Sequence, residues 1–337
     1  MLIVDAHLDL AYNVTRGRDV TLPALRQPMT EGEIATVGLP DLIAGGVGLI
    51  CATIFTAPAI NGEAGYANAE EARAAALVQL HWYQRQHANG SMRLIHCSKE
   101  LADVAASPQT PHAILLMEGA DPLRTPADVA EWFTAGLRIV GLAWKGTRFA
   151  GGTGQPGPLP PAGIAMVYEL ERFGIIHDMS HLAEESFWQL LDLSQGPIIA
   201  SHSNCRSIVP TDRQLSNDMA RALFKRGGVI GINFFDKFLI PPAEYGLRRA
   251  TLQDVVRHIS HLCDLAGDTK HVGLGTDMDG GLGRDQIPAE IITAADLPKL
   301  ADALAGAGFE DAAVRGILGD NWMRFFHQNL ADQHRLT

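Results

Sequence analysis

The sequence is short of several things that would steer its reading. Its 337 residues hold only four cysteines (Cys51, Cys97, Cys205 and Cys263), far apart and with no CxxC pair. That argues against a thiolate metal site or a disulfide framework and for buried, reduced thiols. Basic residues are outnumbered, 27 Lys and Arg against 38 Asp and Glu, for a net charge of −11. No basic tract could follow a phosphate backbone, so a nucleic-acid partner has no electrostatic support. No apolar run is long enough to span a bilayer, so no membrane partner is expected. Met1 leads directly into Leu-Ile-Val-Asp-Ala-His without a basic stretch or a cleavage site. The expected location is therefore cytoplasmic. No internal repeat or low-complexity tract breaks the chain.

What is there is 47% hydrophobic and 19% charged, enough to bury a large core without a staple. Short β-branched runs alternate with longer segments of helical period, the pattern of a parallel sheet covered by helices. Core strands are expected at 2–6, 48–55, 113–117, 138–142, 174–178, 197–201, 228–233 and 271–276. An extra strand at 92–97 falls outside that count. Helices are expected at 63–86, 162–173, 218–226 and 252–266, with a helical tail at 311–329 over the barrel bottom or edge. Eight strands in this rhythm give a (β/α)8 TIM-type barrel, read as one domain over residues 1–337. The glycine- and proline-rich stretch 151–161 reads as a long loop shaping a substrate site.

In such a barrel the site lies at the C-terminal strand ends, and metal-capable side chains collect there. The first strand ends in His7-Leu-Asp9, two residues that face the same side of an extended chain. Glu118 ends four apolar residues, where an acid is costly to bury without a cation or partner. His181, His202 and Asp277 end three further strands, with Asp279 two residues on. A single strand-end histidine is more often a hydrogen-bonded structural residue than a ligand, and an isolated HxD arises by chance. The pattern over five of eight strands carries the weight. Three imidazoles and two carboxylates without thiolate suit Zn²⁺, Mn²⁺, Co²⁺ or Fe²⁺. Five ligands fit two divalent ions, most simply Zn²⁺, better than one, and Glu118 is the natural bridge between them. His177 reads as structural and Asp178 as an acceptor behind the ligands.

The segments Asp5-Ala-His-Leu-Asp9, Met117-Glu-Gly119, Asp178-Met-Ser-His181, Ser201-His-Ser203 and Gly275-Thr-Asp-Met-Asp-Gly280 resemble, in order and spacing, the motifs of the membrane (renal) dipeptidase family of dinuclear zinc peptidases. The resemblance runs from about residue 2 to residue 326. It implies an amidohydrolase-like barrel with His7 and Asp9 on one zinc, His181 and His202 on the other, and Glu118 on both. It further implies that Arg213 grips the substrate's terminal carboxylate and that Asp277 carries the proton from water to the leaving amine. The implied activity is dipeptide hydrolysis by a hydroxide bridging two ions, with tolerance of a D-residue at the C-terminal position. Animal members carry a histidine after the fourth strand, where this chain has Trp144, an indole that donates one hydrogen bond and carries no charge. Two alternatives stand beside this reading: a dinuclear amidohydrolase acting on a lactone, an N-acyl amino acid or a phosphotriester, and a non-catalytic barrel. A homodimer is compatible with the sequence, which does not fix oligomeric state.

Overall fold

The computed structural model describes residues 1–59 and 65–330. Nine parallel strands form one sheet: β1 (Ile3–Leu8), β2 (Val47–Phe55), β3 (Arg93–Leu94), β4 (His112–Glu118), β5 (Leu137–Gly141), β6 (Ile176–Asp178), β7 (Ile198–Ile199), β8 (Ile230–Ile232) and β9 (Val272–Leu274). Eight of them run in the order β7-β6-β5-β4-β2-β1-β9-β8, and a parallel bridge between Ala200 and Ile230 joins the two ends. The result is the expected (β/α)8 barrel. β3 pairs only with the start of β4, so the extra strand is real but two residues long and outside the ring.

The strands are buried on both faces because helices cover the outside and side chains fill the inside. Val4, Leu49, Ile114, Ile139, Ile176 and Ile199 share one apolar cluster with Trp322 and Phe326. Trp322 and Phe326 belong to the helical tail, whose residues Asp311–Arg315, Gly316–Asp320 and Asn321–Asn329 follow one another through a single π turn. Trp322 donates to the Leu274 carbonyl and Asn321 to those of Thr269 and Val272, which fastens the tail against β9. Gly273 makes room for it, since a Cβ there would lie 2.1 Å from the indole nitrogen.

The other elements follow expectation closely. Helices run over Pro161–Arg172, Asn217–Lys225 and Leu252–Ala266. The first long helix was expected from residue 63. Residues 63 and 64 lie outside the described residues, and the helix begins at Ala69, where the Asn68 side chain caps it by accepting from the Glu71 amide. Among the described residues no helix is long and apolar enough to cross a membrane.

Candidate metal centre

Strand parity brings the site together. Glu118 shares the parity of Ile114 and Leu116, Asp178 that of Ile176, and Ser201 that of Ile199, so each stands above the apolar filling, on the barrel axis. β1 reaches the same axis by a different device. Val4 and Ala6 face the interior, so strict alternation would turn His7 outward. Between Asp5–Ile50 and Leu8–Ala52 the pairing slips, three steps on β1 against two on β2. That bulge re-aims the strand end and delivers His7 and Asp9 to the axis. Asp5 holds the bulge by accepting from the His7 amide and from the Thr276 amide and hydroxyl.

The predicted ligands converge. Glu118 Oε2 lies 3.5 Å from His7 Nε2, while its Oε1 lies 3.1 Å from His181 Nε2 and 3.3 Å from His202 Nε2. His7 Nε2 also faces Asp9 at 3.8 Å and Asp277 at 4.0 Å. Three ligand groupings result: His7, Asp9 and Glu118; Glu118, His181 and His202; and His7, His202 and Asp277. The first two share only Glu118, one oxygen facing each side. His7, Asp9 and His202 are almost fully enclosed.

Electrostatics show what the cluster is built for. Burial works against a proton on His7, yet Glu118, Asp9 and Asp277 outweigh it and hold the imidazole up to about 10. Burial would raise Glu118, but His7 and hydrogen bonds from His181 and His202 hold it well below the ordinary carboxylate range. Burial and the charge of Arg213 push His181 down to about 4. Burial, opposed by His7 but aided by Asp9 and Glu118, pushes Asp277 up to about 8. His7 Nε2 has no hydrogen-bond partner although it is fully buried. His181 Nε2 and His202 Nε2 stand only 3.0 Å apart. Converging imidazole nitrogens beside three carboxylates fit divalent cations, with a nitrogen and oxygen donor set typical of Zn²⁺ or Mn²⁺.

The remaining predicted residues surround this centre. Asp277, in a left-handed conformation at φ 59°, accepts from Asn233 Nδ2 at 2.8 Å. Arg213 is 4% exposed and donates to the Ser203 hydroxyl and the His202 carbonyl, leaving its Nε without a protein partner. Trp144 is half-buried at the end of β5, its ring edge-on to Phe55 at 5.1 Å. Asp279 is engaged elsewhere: both its oxygens accept from the 36–37 backbone, and Arg18 lies 3.0 Å away. His177 lies outside all three groupings, as expected. Three residues behind the ligands escaped notice in the sequence as role-bearing: Thr53, whose hydroxyl bonds Asp9; Thr153, which meets His181 Nδ1; and Asn233. Thr53 breaks the apolar run Val-Gly-Leu-Ile-Cys-Ala-Thr-Ile-Phe at an inward position, which is the signal that could have found it.

A sequence model of the membrane dipeptidase family, peptidase family M19, matches residues 1–336. The chain belongs to that family. It is 32% identical over 206 residues to an uncharacterized protein of the pqqA 5′ region of Klebsiella pneumoniae, covering 58% of this chain and 74% of that protein. It is 30% identical over 205 residues to an uncharacterized dipeptidase of Schizosaccharomyces pombe, covering 59% of this chain but only 48% of the longer relative. Among solved structures, a metallopeptidase from Rhodobacter sphaeroides, liganded with a phosphinate mimic of the dipeptide L-Ala-D-Ala, superposes with a TM-score of 0.83 at 26% identity. That match covers 98% of this chain and 99% of the other. The protein is thus a peptide hydrolase of a metallopeptidase family.

Proposed function

We propose that the chain is a two-ion dipeptidase, a single barrel that uses Zn²⁺ and accepts a D-residue at the C-terminal position. The observation that carries this is Glu118, one oxygen toward His7 and the other toward His181 and His202. His7 and Asp9 would hold one ion, His181 and His202 the other, and Glu118 both. Ions so held supply Lewis acidity, polarising a carbonyl and making hydroxide available from a shared water near neutral pH. The chain's own groups do the rest. Arg213, whose Nε has no protein partner, would grip the substrate's terminal carboxylate, which a planar fork binds through both oxygens. Asp277, held by Asn233, takes the proton from water and returns it to the leaving amine. Trp144, packed edge-on against Phe55, would contact the substrate. Tolerance of a D-residue is supported by the L-Ala-D-Ala mimic in the Rhodobacter sphaeroides relative.

The test is a panel of L-L and L-D dipeptides, their C-terminal amides and N-acyl amino acids, assayed with Zn²⁺ and then Mn²⁺. Free dipeptides of both stereochemistries should be cleaved and the amides spared. Arg213→Lys should raise KM for dipeptides by about tenfold or more, because the fork is lost while the charge stays. Amides cleaved as fast as free dipeptides would sink the reading.

A further inference from the structure

One hydroxyl stands between the two halves of the centre. Ser201 Oγ lies 3.1 Å from His7 Nδ1 and 2.8 Å from His202 Nδ1, one imidazole from each proposed ion position. The same oxygen donates to Asp178 Oδ2 at 2.5 Å. A serine hydroxyl has one proton and two lone pairs. A carboxylate can only accept, so the single proton is committed to Asp178. Both lone pairs are then left for the imidazoles, and each Nδ1 must be the protonated nitrogen. In the neutral imidazole that an ion requires, each Nε2 is thereby the nitrogen left to bind it.

The direction is enforced on the Asp178 side as well. Its other oxygen, Oδ1, accepts from the Ser201 amide at 2.8 Å and the Ser180 amide at 3.0 Å. Those two fixed donors orient the carboxylate and leave Oδ2 facing the hydroxyl. Ser201 and Asp178 are buried, so bulk water does not compete for these bonds. Resting on the two-ion reading above, we infer that Asp178 and Ser201 act as one tautomer switch, setting the ligand nitrogen of His7 and His202 together and so coupling the two ion positions. His181 is outside this device, because its Nδ1 meets the Thr153 hydroxyl at 3.0 Å.

Asp178→Asn tests the proton count without changing shape. Its oxygen must stay with the two backbone amides, which puts its NH2 against Ser201 Oγ. The amide then occupies a lone pair, the serine proton turns to one Nδ1, and that imidazole is driven to the wrong tautomer. Ion stoichiometry and affinity are measured by chelator competition with Zn²⁺. Wild type should hold two ions. Asp178→Asn should lose one ion or bind it at least about 100-fold more weakly, and Ser201→Ala should weaken both by about 10–100-fold. Thr153→Val should weaken only one. Nitrogen-15 spectra of histidine-labelled zinc-loaded protein should show Nδ1–H on both His7 and His202. Should Asp178→Asn fail to fold, Ser201→Ala and the spectra decide. Two ions held with wild-type affinity by Asp178→Asn or by Ser201→Ala, or an Nε2–H on either histidine, overturns the switch while leaving the two-ion reading intact. Fewer than two ions on wild type overturns both.

Discussion

The backbone at Asp277 and His181 is left-handed, φ 59° and 66°, in residues that have a Cβ. Such conformations cost on the order of 1–3 kcal/mol and persist where surrounding contacts over-determine them. Here Asn233 holds the Asp277 carboxylate, and Thr153 meets the His181 ring. Asp277 thus presents a carboxylate whose affinity for a proton is raised by burial and by its acidic neighbours. Asp277→Asn keeps the shape and removes the proton acceptor. Its ion content, measured by elemental analysis, should match wild type while kcat falls by about 10²- to 10⁴-fold. A kcat near wild type would place the proton transfer on another group.

Single elements carry consequences of their own. The tail helix reaches the barrel floor because β9 offers no side chain at 273, and the Trp322 indole fills that place while donating to Leu274. Gly273→Ala inserts a methyl where the indole lies, and neither strand nor tail can yield without losing that hydrogen bond. The variant should be destabilised by about 3 kcal/mol, toward the upper end for an overpacked core. Equilibrium denaturation reads this directly, and a loss under about 0.5 kcal/mol would mean that the tail is not held there. The β1 bulge is the other decisive element, since it converts a strand that would turn His7 outward into one that offers His7 and Asp9.

Across the whole molecule, pH also acts through buried groups outside the ligand set. His177 is fully buried with neither ring nitrogen bonded to protein, and burial, then the charge of Arg226, push it down to about 4. Its unfolded value is near 6.5. The unfolded chain therefore takes up the proton first on acidification. Stability from a neutral His177 is complete above about pH 6.5 and is lost as pH falls toward 4, below which the folded protein is protonated too. Two and a half pH units correspond to about 3 kcal/mol. Asp5 and Asp236, raised to about 6 mainly by burial, act in the opposite sense, so the effect is read as a difference. His177→Met should gain about 3 kcal/mol on wild type between pH 7 and pH 4 in parallel urea titrations. Parallel stability curves for the two proteins would refute it.

The sequence by itself determined the barrel, because eight apolar runs in a helical rhythm leave few ways to bury both faces of a sheet. It also picked out the cluster, since an acid after Ile-Leu-Leu-Met and a histidine after Ile-Ile-Ala-Ser are costly residues at strand ends. It could not place the bulge, because a slip in register depends on the partner strand, whose paired residues Ile50 and Ala52 lie far along the chain from Asp5 and Leu8. Spacing alone did not separate Asp279 from Asp277, two carboxylates of one motif, and only the family resemblance favoured Asp277. Only the folded chain sets Asp279 against Thr36 and Arg18 and leaves Asp277 to face His7. Which carboxylate is spent on structure and which is free for chemistry is decided by neighbours that are distant in sequence, and tertiary structure alone supplies them.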